Sequence, residues 1–209
     1  MGKPELKPSI LCLITDPAMP NLIDAVDIAL AEGVNMLQLR GHNLPAVQLH
    51  RLAIYFGSLC QRYGVTFIIN DRLDVGLAAR VDGFQLGQQS LPPVFARVVV
   101  GDAYLLGASA HSLDEASLAV TMGADFLIAG TIFASRSHLD EPPSGPGLLS
   151  TIKQALPNYP LLAVGGLTVA NAAQTMEAGA DGIAVISAII GASDIWWWLV
   201  SRQGRSSRV

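Results

Sequence analysis

The segment TMGADFLIAG, residues 121–130, carries the pattern that decides the fold of this chain. A helix-like stretch ends at a glycine, and an apolar run without polar alternation begins within two residues. Glycine suits the C-terminus of a helix because it adopts the left-handed conformation at little cost. A short apolar run without alternation is typical of a parallel strand that is buried on both faces. The segment therefore predicts a junction between a helix and a buried parallel strand.

The same junction recurs along the chain, in AEGVNMLQLR (31–40), QRYGVTFIIN (61–70), ARVDGFQLG (79–87) and EAGADGIAVI (177–186). Segments of helical period lie between the apolar runs, the first of them built on Leu22, Ile23, Val26, Ile28 and Leu30. We predict strands near residues 9–14, 35–39, 65–69, 83–87, 105–109, 125–129, 161–164 and 181–186.

Strands that alternate with helices predict an α/β fold with a parallel sheet. Eight units of about 25 residues fit a single (β/α)8 TIM barrel, at the small end of its usual size range. A doubly wound open sheet is the alternative, but eight units without a second domain favour closure. No linker or low-complexity segment divides the sequence, so we expect one domain over residues 1–209.

Composition limits the function classes. The chain of 209 residues is 51% hydrophobic and 14% charged, which predicts a packed globule. Its net charge of −4 comes without a basic stripe, so we expect neither a nucleic acid nor a membrane as partner. The N-terminal residues MGKPELKPS have no apolar core, so we expect no signal peptide and a cytoplasmic protein. Cys12 and Cys60 lie in apolar stretches and are expected to be buried thiols.

The C-terminal segment contains IWWWLVSR, residues 195–202, within a helix that we predict near 192–202. Neighbouring residues on a helix point about 100° apart, so three adjacent tryptophans cannot all face one core. One or two of them are expected to pack on the barrel. The remainder either pack there too or form a subunit interface, where tryptophan is enriched, which would make the protein a homo-oligomer.

Polar residues follow nearly every predicted strand, and in a TIM barrel the chemistry lies at this C-terminal end of the strands. We therefore predict an active site at this face. The polar or glycine positions are Thr15 and Asp16, Gln38, Arg40 and His42, Asn70 and Asp71, residues 85–90, Ser109 and His111, Thr131 and residues 135–138, Gly165 and Gly166, and Ser187.

The seventh and eighth strand ends predict a phosphate site. Gly165 and Gly166 let backbone N–H groups approach an anion closely because no Cβ intervenes. Ile186 and Ser187 then begin a short helical turn, whose free N–H groups also attract anions. TIM barrels often bind a ligand phosphate at this junction.

Seven phrases occur in order along the chain: QLR, IINDR, LGQ, GASAH, GTIF, AVGGL and AVISAI. Together they resemble the thiamin phosphate synthase and TenI superfamily, from about Leu13 to about Ile190. The resemblance implies a (β/α)8 barrel that binds a thiazole phosphate in thiamin biosynthesis. The synthase branch joins a hydroxymethylpyrimidine diphosphate to the thiazole phosphate with Mg²⁺ and releases diphosphate. The TenI branch includes a tautomerase that aromatises a thiazole carboxylate phosphate.

The sequence departs from the synthase pattern where that pattern handles charge. The synthase lysine after QLR is replaced by His42, and the second metal-binding aspartate by Ser90, while the first is present as Asp71. The Thr-x-Thr-Lys run is replaced by residues 135–138, Ser-Arg-Ser-His, whose Ser135 and Ser137 keep the hydroxyls. A departing diphosphate needs a metal and fixed cations to stabilise its charge. We therefore expect a TenI-like isomerase, a thiazole tautomerase that needs no cofactor.

A tautomerase needs a general acid–base group with a pKa near neutrality, which histidine has. We predict His138 as this group, with His111 next and Arg40 as a further catalytic candidate. The histidine of the TenI branch falls at Thr131 here, so the proton must move through another residue. His50 lies in a helical segment and is expected to be a surface or packing residue.

The substrate-binding candidates are Gln38, His42, Asn70, Ser109, Thr131, Ser135, Ser137, Gly165, Gly166, Ile186 and Ser187. Three alternatives to the tautomerase stay open. The first is a working thiamin phosphate synthase with Mg²⁺ on Asp71. The second is a non-catalytic barrel that binds a thiamin precursor as a regulator, and the third is an unrelated phosphosugar-type isomerase that shares the phosphate site.

Overall fold

A computed structural model of the chain describes residues 2–6, 8–17, 19–134 and 142–186. Eight parallel strands close into a barrel in sequence order. The strands are β1 (Ile10–Ile14), β2 (Met36–Leu39), β3 (Thr66–Asn70), β4 (Gly83–Leu86), β5 (Leu105–Ala110), β6 (Phe126–Ala129), β7 (Leu161–Val164) and β8 (Gly182–Val185). The helices are α1 (Leu22–Ala31), α2 (Ala46–Tyr63), α3 (Leu73–Ala79), α4 (Pro93–Val100), α5 (Leu113–Thr121), α6 (Gly147–Ala155) and α7 (Val169–Glu177).

The barrel closes where β1 pairs with β8, with Ile10 opposite Gly182 and Leu13 opposite Val185. This pairing confirms the (β/α)8 barrel and excludes the doubly wound open sheet. All eight predicted strands are present. The predicted C-terminal helix near 192–202, with its tryptophans, lies outside the described residues.

Two apolar layers explain why the strands show no polar alternation. Within β1, Ile10, Cys12 and Ile14 belong to a cluster inside the barrel. Leu11 and Leu13, which point the other way, pack in the larger cluster between the sheet and the helices. Both faces of each strand are therefore buried, as the uninterrupted apolar runs predict.

The cysteines are both free and buried. Burial raises the pKa of the Cys12 thiol above its ordinary value, and burial together with nearby Asp82 raises that of Cys60 to about 12. The prediction of two buried thiols is confirmed. A thiol with a raised pKa holds its proton at neutral pH and is a poor nucleophile.

One expectation for α1 is wrong. Val26 and Leu30 are buried as predicted, but Ile28 is 62% exposed and Ile23 is also exposed. At 100° per residue, positions 26, 29 and 30 of α1 face the sheet, and position 28 falls on the opposite side. His50 lies in α2 and is half-buried, in agreement with a surface or packing role.

The N-terminal end of the barrel carries a repeated hydrogen bond. The residue just before each even-numbered strand accepts, through its side-chain oxygen, a backbone N–H from the strand before it. The pairs are Asn35 with Leu11 at 2.8 Å, Asp82 with Phe67 at 2.8 Å, Asp125 with Leu106 at 2.9 Å, and Asp181 with Leu161 at 2.9 Å. This repeat accounts for the Asn or Asp that precedes the strand in four of the recurrent segments.

Two of these carboxylates form ion pairs with basic side chains. Asp125 lies 2.6 Å from Arg97 and Asp181 lies 2.6 Å from Lys153. Asp82 has no such partner in the described part of the chain, and burial raises its pKa although the Phe67 N–H opposes the shift. In the same described ranges, no helix is long and apolar enough to cross a membrane.

Candidate active site

A cavity of about 620 Å³ opens at the C-terminal end of the strands. The structure brings many of the predicted site residues to its wall: Gln38, Arg40, His42, Asn70, Asp71, Ser109, His111, Thr131 and Ile186. Gly165 and Gly166 follow Val164, which also lines it. Ser135, Ser137, His138 and Ser187 lie outside the described residues.

A directional hydrogen-bond chain joins the ends of β2 and β3. Gln38 donates from Nε2 to Oδ1 of Asn70 at 2.7 Å, and Asn70 donates from Nδ2 to Oδ2 of Asp71 at 2.6 Å. Gln38 is only 3% exposed, and its Oε1 has no hydrogen-bond partner within the described chain. Because a buried acceptor without a partner is costly, Oε1 is suited to accept a hydrogen bond from a ligand.

Asp71 lies where the β3 and β4 ends meet. Its Oδ1 accepts a 3.3 Å hydrogen bond from the Gly87 N–H and another from the Ser90 hydroxyl. Its Oδ2 lies 3.5 Å from Nδ1 of His42. The backbone of Asp71 is left-handed, with φ of 60°, which turns the chain sharply after β3.

The oxygen atoms of Asp71 and Ser90 are of the kind that binds Mg²⁺. Among the described residues that line the cavity, Asp71 is the sole carboxylate, and its neighbour Ser90 adds a hydroxyl oxygen. The described ranges contain no group of three or more His, Cys, Asp or Glu that could hold a metal. Mg²⁺ commonly binds one or two carboxylates together with substrate phosphates. The residues therefore fit a magnesium ion that shares its ligands with a phosphorylated substrate.

Arg40 supplies positive charge to the same cavity. Its backbone is fixed by Thr15, whose hydroxyl accepts from the Arg40 N–H at 2.9 Å. Arg40 lines the cavity, and its guanidinium group makes no ion pair within the described ranges of the chain. An unpaired guanidinium in a polar cavity is suited to bind an anionic oxygen of a ligand.

His111 is held at the rim of the cavity. Its Nδ1 lies 3.3 Å from Oε2 of Glu115, and its backbone N–H donates to the same oxygen at 2.7 Å. Gln88 lies 3.0 Å from Nδ1 and donates to Glu115 at 2.7 Å. These contacts fix the ring by hydrogen bonds, and the catalytic role of His111 stays a prediction.

Steric constraints explain why two consecutive glycines follow β7. Gly165 and Gly166 have φ of 95° and 59°, and a Cβ on Gly166 would lie 2.3 Å from the carbonyl oxygen of Ala134. A Cβ on Gly165 would lie 2.5 Å from the Thr131 side chain. Glycine is therefore required here by the packing of residues 131–134, and the predicted phosphate-binding role stays a prediction.

Residues outside the predicted set also shape the site. Gln85 donates to the Ser109 hydroxyl, and Gln88 donates to the Ser109 carbonyl oxygen at 3.2 Å. Gln85 lies within β4 and Gln88 follows it; both belong to the polar stretch 85–90, but neither was among the substrate-binding candidates. The repeated Gln-Leu pair in MLQL and GFQL places Gln38 and Gln85 at equivalent strand positions, and this repeat could have pointed to Gln85.

Comparison with known proteins identifies the family. A family model described as thiamine monophosphate synthase matches residues 11–189. The chain belongs to the thiamine monophosphate synthase family. A thiamine-phosphate synthase of Methanospirillum hungatei is 39% identical over 189 residues, which cover 88% of this chain and 91% of that protein. One of Moorella thermoacetica is 44% identical over 174 residues, which cover 83% and 82%.

A solved structure agrees with the family. The thiamine phosphate pyrophosphorylase of Pyrococcus furiosus superimposes with a TM-score of 0.82 at 35% identity, over 89% of each chain. The superfamily resemblance drawn from the sequence phrases is thereby confirmed. The chain belongs to a family of enzymes of thiamine biosynthesis.

The prediction of a TenI-like thiazole tautomerase is wrong. It rested on three departures from the thiamine monophosphate synthase pattern, yet the similar relatives are named as synthases. Two described residues of the cavity supply groups that reduce the effect of these departures on a diphosphate site. Ser90 places a hydroxyl oxygen beside Asp71, and Arg40 lines the same cavity. The roles assigned to His138 and His111 as proton carriers depended on the tautomerase.

Proposed function

We propose that this protein is a thiamine-phosphate synthase, which joins a hydroxymethylpyrimidine diphosphate to a thiazole phosphate and releases diphosphate. The observation that carries the proposal is the similarity to proteins named thiamine-phosphate synthase, at 39% and 44% identity over more than four-fifths of the chain. In this reaction the carbon–oxygen bond to diphosphate breaks and the thiazole nitrogen forms a bond to that carbon. The electron pair of the broken bond leaves with the diphosphate.

In this proposal the diphosphate lies against Arg40 and Asp71. The Arg40 side chain would bind phosphate oxygens directly, and Asp71 with Ser90 would hold Mg²⁺. Bound Mg²⁺ supplies positive charge where the departing diphosphate gathers negative charge. His42, 3.5 Å from Asp71, would add positive charge when protonated.

The pyrimidine would lie deeper, against Gln38 and Ser109. The buried Oε1 of Gln38 accepts a hydrogen bond, and the Ser109 hydroxyl donates one, because Gln85 already donates to its oxygen. An aminopyrimidine offers a donor and an acceptor side by side, which complements this pair. These two hydrogen bonds would hold the pyrimidine ring so that its reacting carbon faces the thiazole.

The thiazole phosphate would lie at the ends of β7 and β8, near Gly165, Gly166 and Ile186. Support comes from the frequent use of this junction for phosphate in TIM barrels. Thr131, beside Gly165, would complete the wall of this subsite. The roles of Ser135, Ser137 and Ser187 remain predictions.

The deciding experiment incubates the full chain with hydroxymethylpyrimidine diphosphate, thiazole phosphate and Mg²⁺. We expect thiamin phosphate and diphosphate to form in equal amounts, with neither product in the presence of excess chelator. Binding of both substrates without product would overturn the proposal and favour the regulatory alternative. Diphosphate release without coupled product would also contradict it, because the coupling is the proposed function.

A further inference from the structure

Helix α4 leaves an apolar face uncovered on the outside of the barrel. Its sequence PVFARVVV turns Pro93, Ala96 and Val100 inward, where they are buried. Four other apolar side chains of the helix, and Leu91 just before it, are exposed. This α4 face consists of Leu91, Val94, Phe95, Val98 and Val99, with Val98 82% exposed and Phe95 58% exposed.

The α4 face carries no charge. Arg97, the one charged residue of the helix, has a side chain only 18% exposed. Its guanidinium donates to the carbonyl oxygens of Gly101 and Tyr104 at 2.9 and 2.8 Å, and to Asp125 at 2.6 Å. These three contacts draw the guanidinium toward the barrel and away from Val98 and its neighbours.

The size of the α4 face suits an interface. Its exposed apolar area is on the order of 500 Å², near the upper limit for the largest patch of a monomer. A standard interface takes about 800 Å² from each partner and has an apolar centre with a polar rim. The α4 face would therefore supply the apolar centre of an interface, and the polar surface around it would supply the rim.

We propose that the α4 face is the centre of a twofold interface with a second copy of this chain. A face without charge offers nothing to a charged peptide or an anionic membrane, but it complements itself. In a twofold dimer the same patch lies on both sides of the interface, so each apolar side chain meets an apolar partner. The β-branched and aromatic side chains lose little conformational entropy when they pack, which favours association.

The α4 face contains none of the residues of the tryptophan-rich segment 192–202, for which an interface was also considered. It also lies apart from the cavity, on the outer side of a helix that packs beside α3. The proposal is independent of the synthase activity.

Sedimentation velocity of the full chain tests the proposal. We expect a dimer at micromolar concentration, and a dissociation constant raised roughly 30-fold or more in Val98→Asp, as for a residue at the centre of an interface. Ile28→Asp is the matched control, since Ile28 is an exposed β-branched residue on α1, three βα units away. A monomeric wild-type chain, or a dimer that Val98→Asp leaves intact, would overturn the proposal.

A cross-linking variant covers the case in which the aspartate prevents folding. Cys12 and Cys60 are the only cysteines of the chain and both are buried. Val98→Cys therefore adds one accessible thiol, which in a twofold dimer lies close to its own copy. With oxidised glutathione as oxidant, we expect two such thiols to form a disulfide-linked dimer on a non-reducing gel. The proposal fails if Ile28→Cys cross-links as much as Val98→Cys.

Discussion

The side-chain amide of Gln85 donates a hydrogen bond of 3.1 Å to the hydroxyl oxygen of Ser109. Gln85 is buried in the barrel, and its amide also lies 3.3 Å from the carbonyl oxygen of Leu86. Because the Ser109 oxygen accepts this bond, the hydroxyl proton stays available for a group in the cavity. Gln85 therefore acts as a positioning residue that makes Ser109 a donor toward a ligand.

We expect Ser109→Ala and Gln85→Leu each to raise the KM for the pyrimidine diphosphate by about 2-fold to 10-fold, the usual range for one hydrogen bond. Because Gln85 acts through Ser109, the double variant should be no worse than Ser109→Ala. Steady-state kinetics of the three variants checks this. Multiplicative effects in the double variant would show that Gln85 acts on its own.

Asp71→Asn should reduce diphosphate release by roughly 100-fold, the typical loss when electrostatic stabilisation is removed. The asparagine carries no charge, and its amide nitrogen would face either the donating Nδ2 of Asn70 or the donating N–H of Gly87. Asp74→Asn is the control, because Asp74 lies three residues away and pairs with Arg72 outside the cavity. Equal activity in both variants would remove Asp71 from the proposed diphosphate site.

The fold was predictable because one local rule repeats. A glycine or small residue followed by an apolar run marks five of the helix-to-strand junctions, and closure needed only the number of units. The misplaced Ile28 has a simple cause. At 100° per residue, position 28 lies on the side of α1 opposite to positions 26 and 30, so these apolar residues could not all face the sheet.

The sequence predicted where the candidate site lies in the barrel, but it did not predict which reaction the site supports. Residues after parallel strands meet at one end of the barrel, so Gln38, Asn70 and Asp71 had to be neighbours. The sequence could not show that Ser90 contacts Asp71 or that Arg40 lacks an ion pair among the described residues. The substitutions were therefore counted as lost function, although Ser90 supplies a hydroxyl oxygen beside Asp71 and Arg40 lines the same cavity.

Gly166→Ala should raise the KM for the thiazole phosphate at least 10-fold, with the KM for the pyrimidine diphosphate less affected. The new Cβ would lie 2.3 Å from the Ala134 carbonyl oxygen, so residues 133 and 134 must move. Gly64→Ala is the matched control, since Gly64 has φ of 67° but nothing within 4 Å. Both variants should lose about 1 kcal/mol of stability from the left-handed backbone. An unchanged KM in Gly166→Ala would place the phosphate elsewhere.

Asp82 and Asp125 occupy equivalent positions at the N-terminal end of the barrel, but only Asp125 forms an ion pair with Arg97. Burial raises the pKa of Asp82, so the folded chain binds this proton more tightly than the unfolded chain does. Its contribution to stability is therefore present below the ordinary aspartate pKa of about 3.9 and is lost as the pH rises through the raised pKa.

The side chain in Asp82→Asn does not ionise, so the variant does not lose stability in this way as the pH rises. The free energy of unfolding of the variant minus that of the wild type should therefore increase between about pH 4 and pH 7. Asp125→Asn instead leaves the mostly buried Arg97 without its carboxylate and should cost about 1–3 kcal/mol at pH 7. Urea unfolding of both variants and the wild type across this range measures the difference. A constant difference between Asp82→Asn and wild type at every pH would mean that Asp82 titrates alike in the folded and unfolded chains.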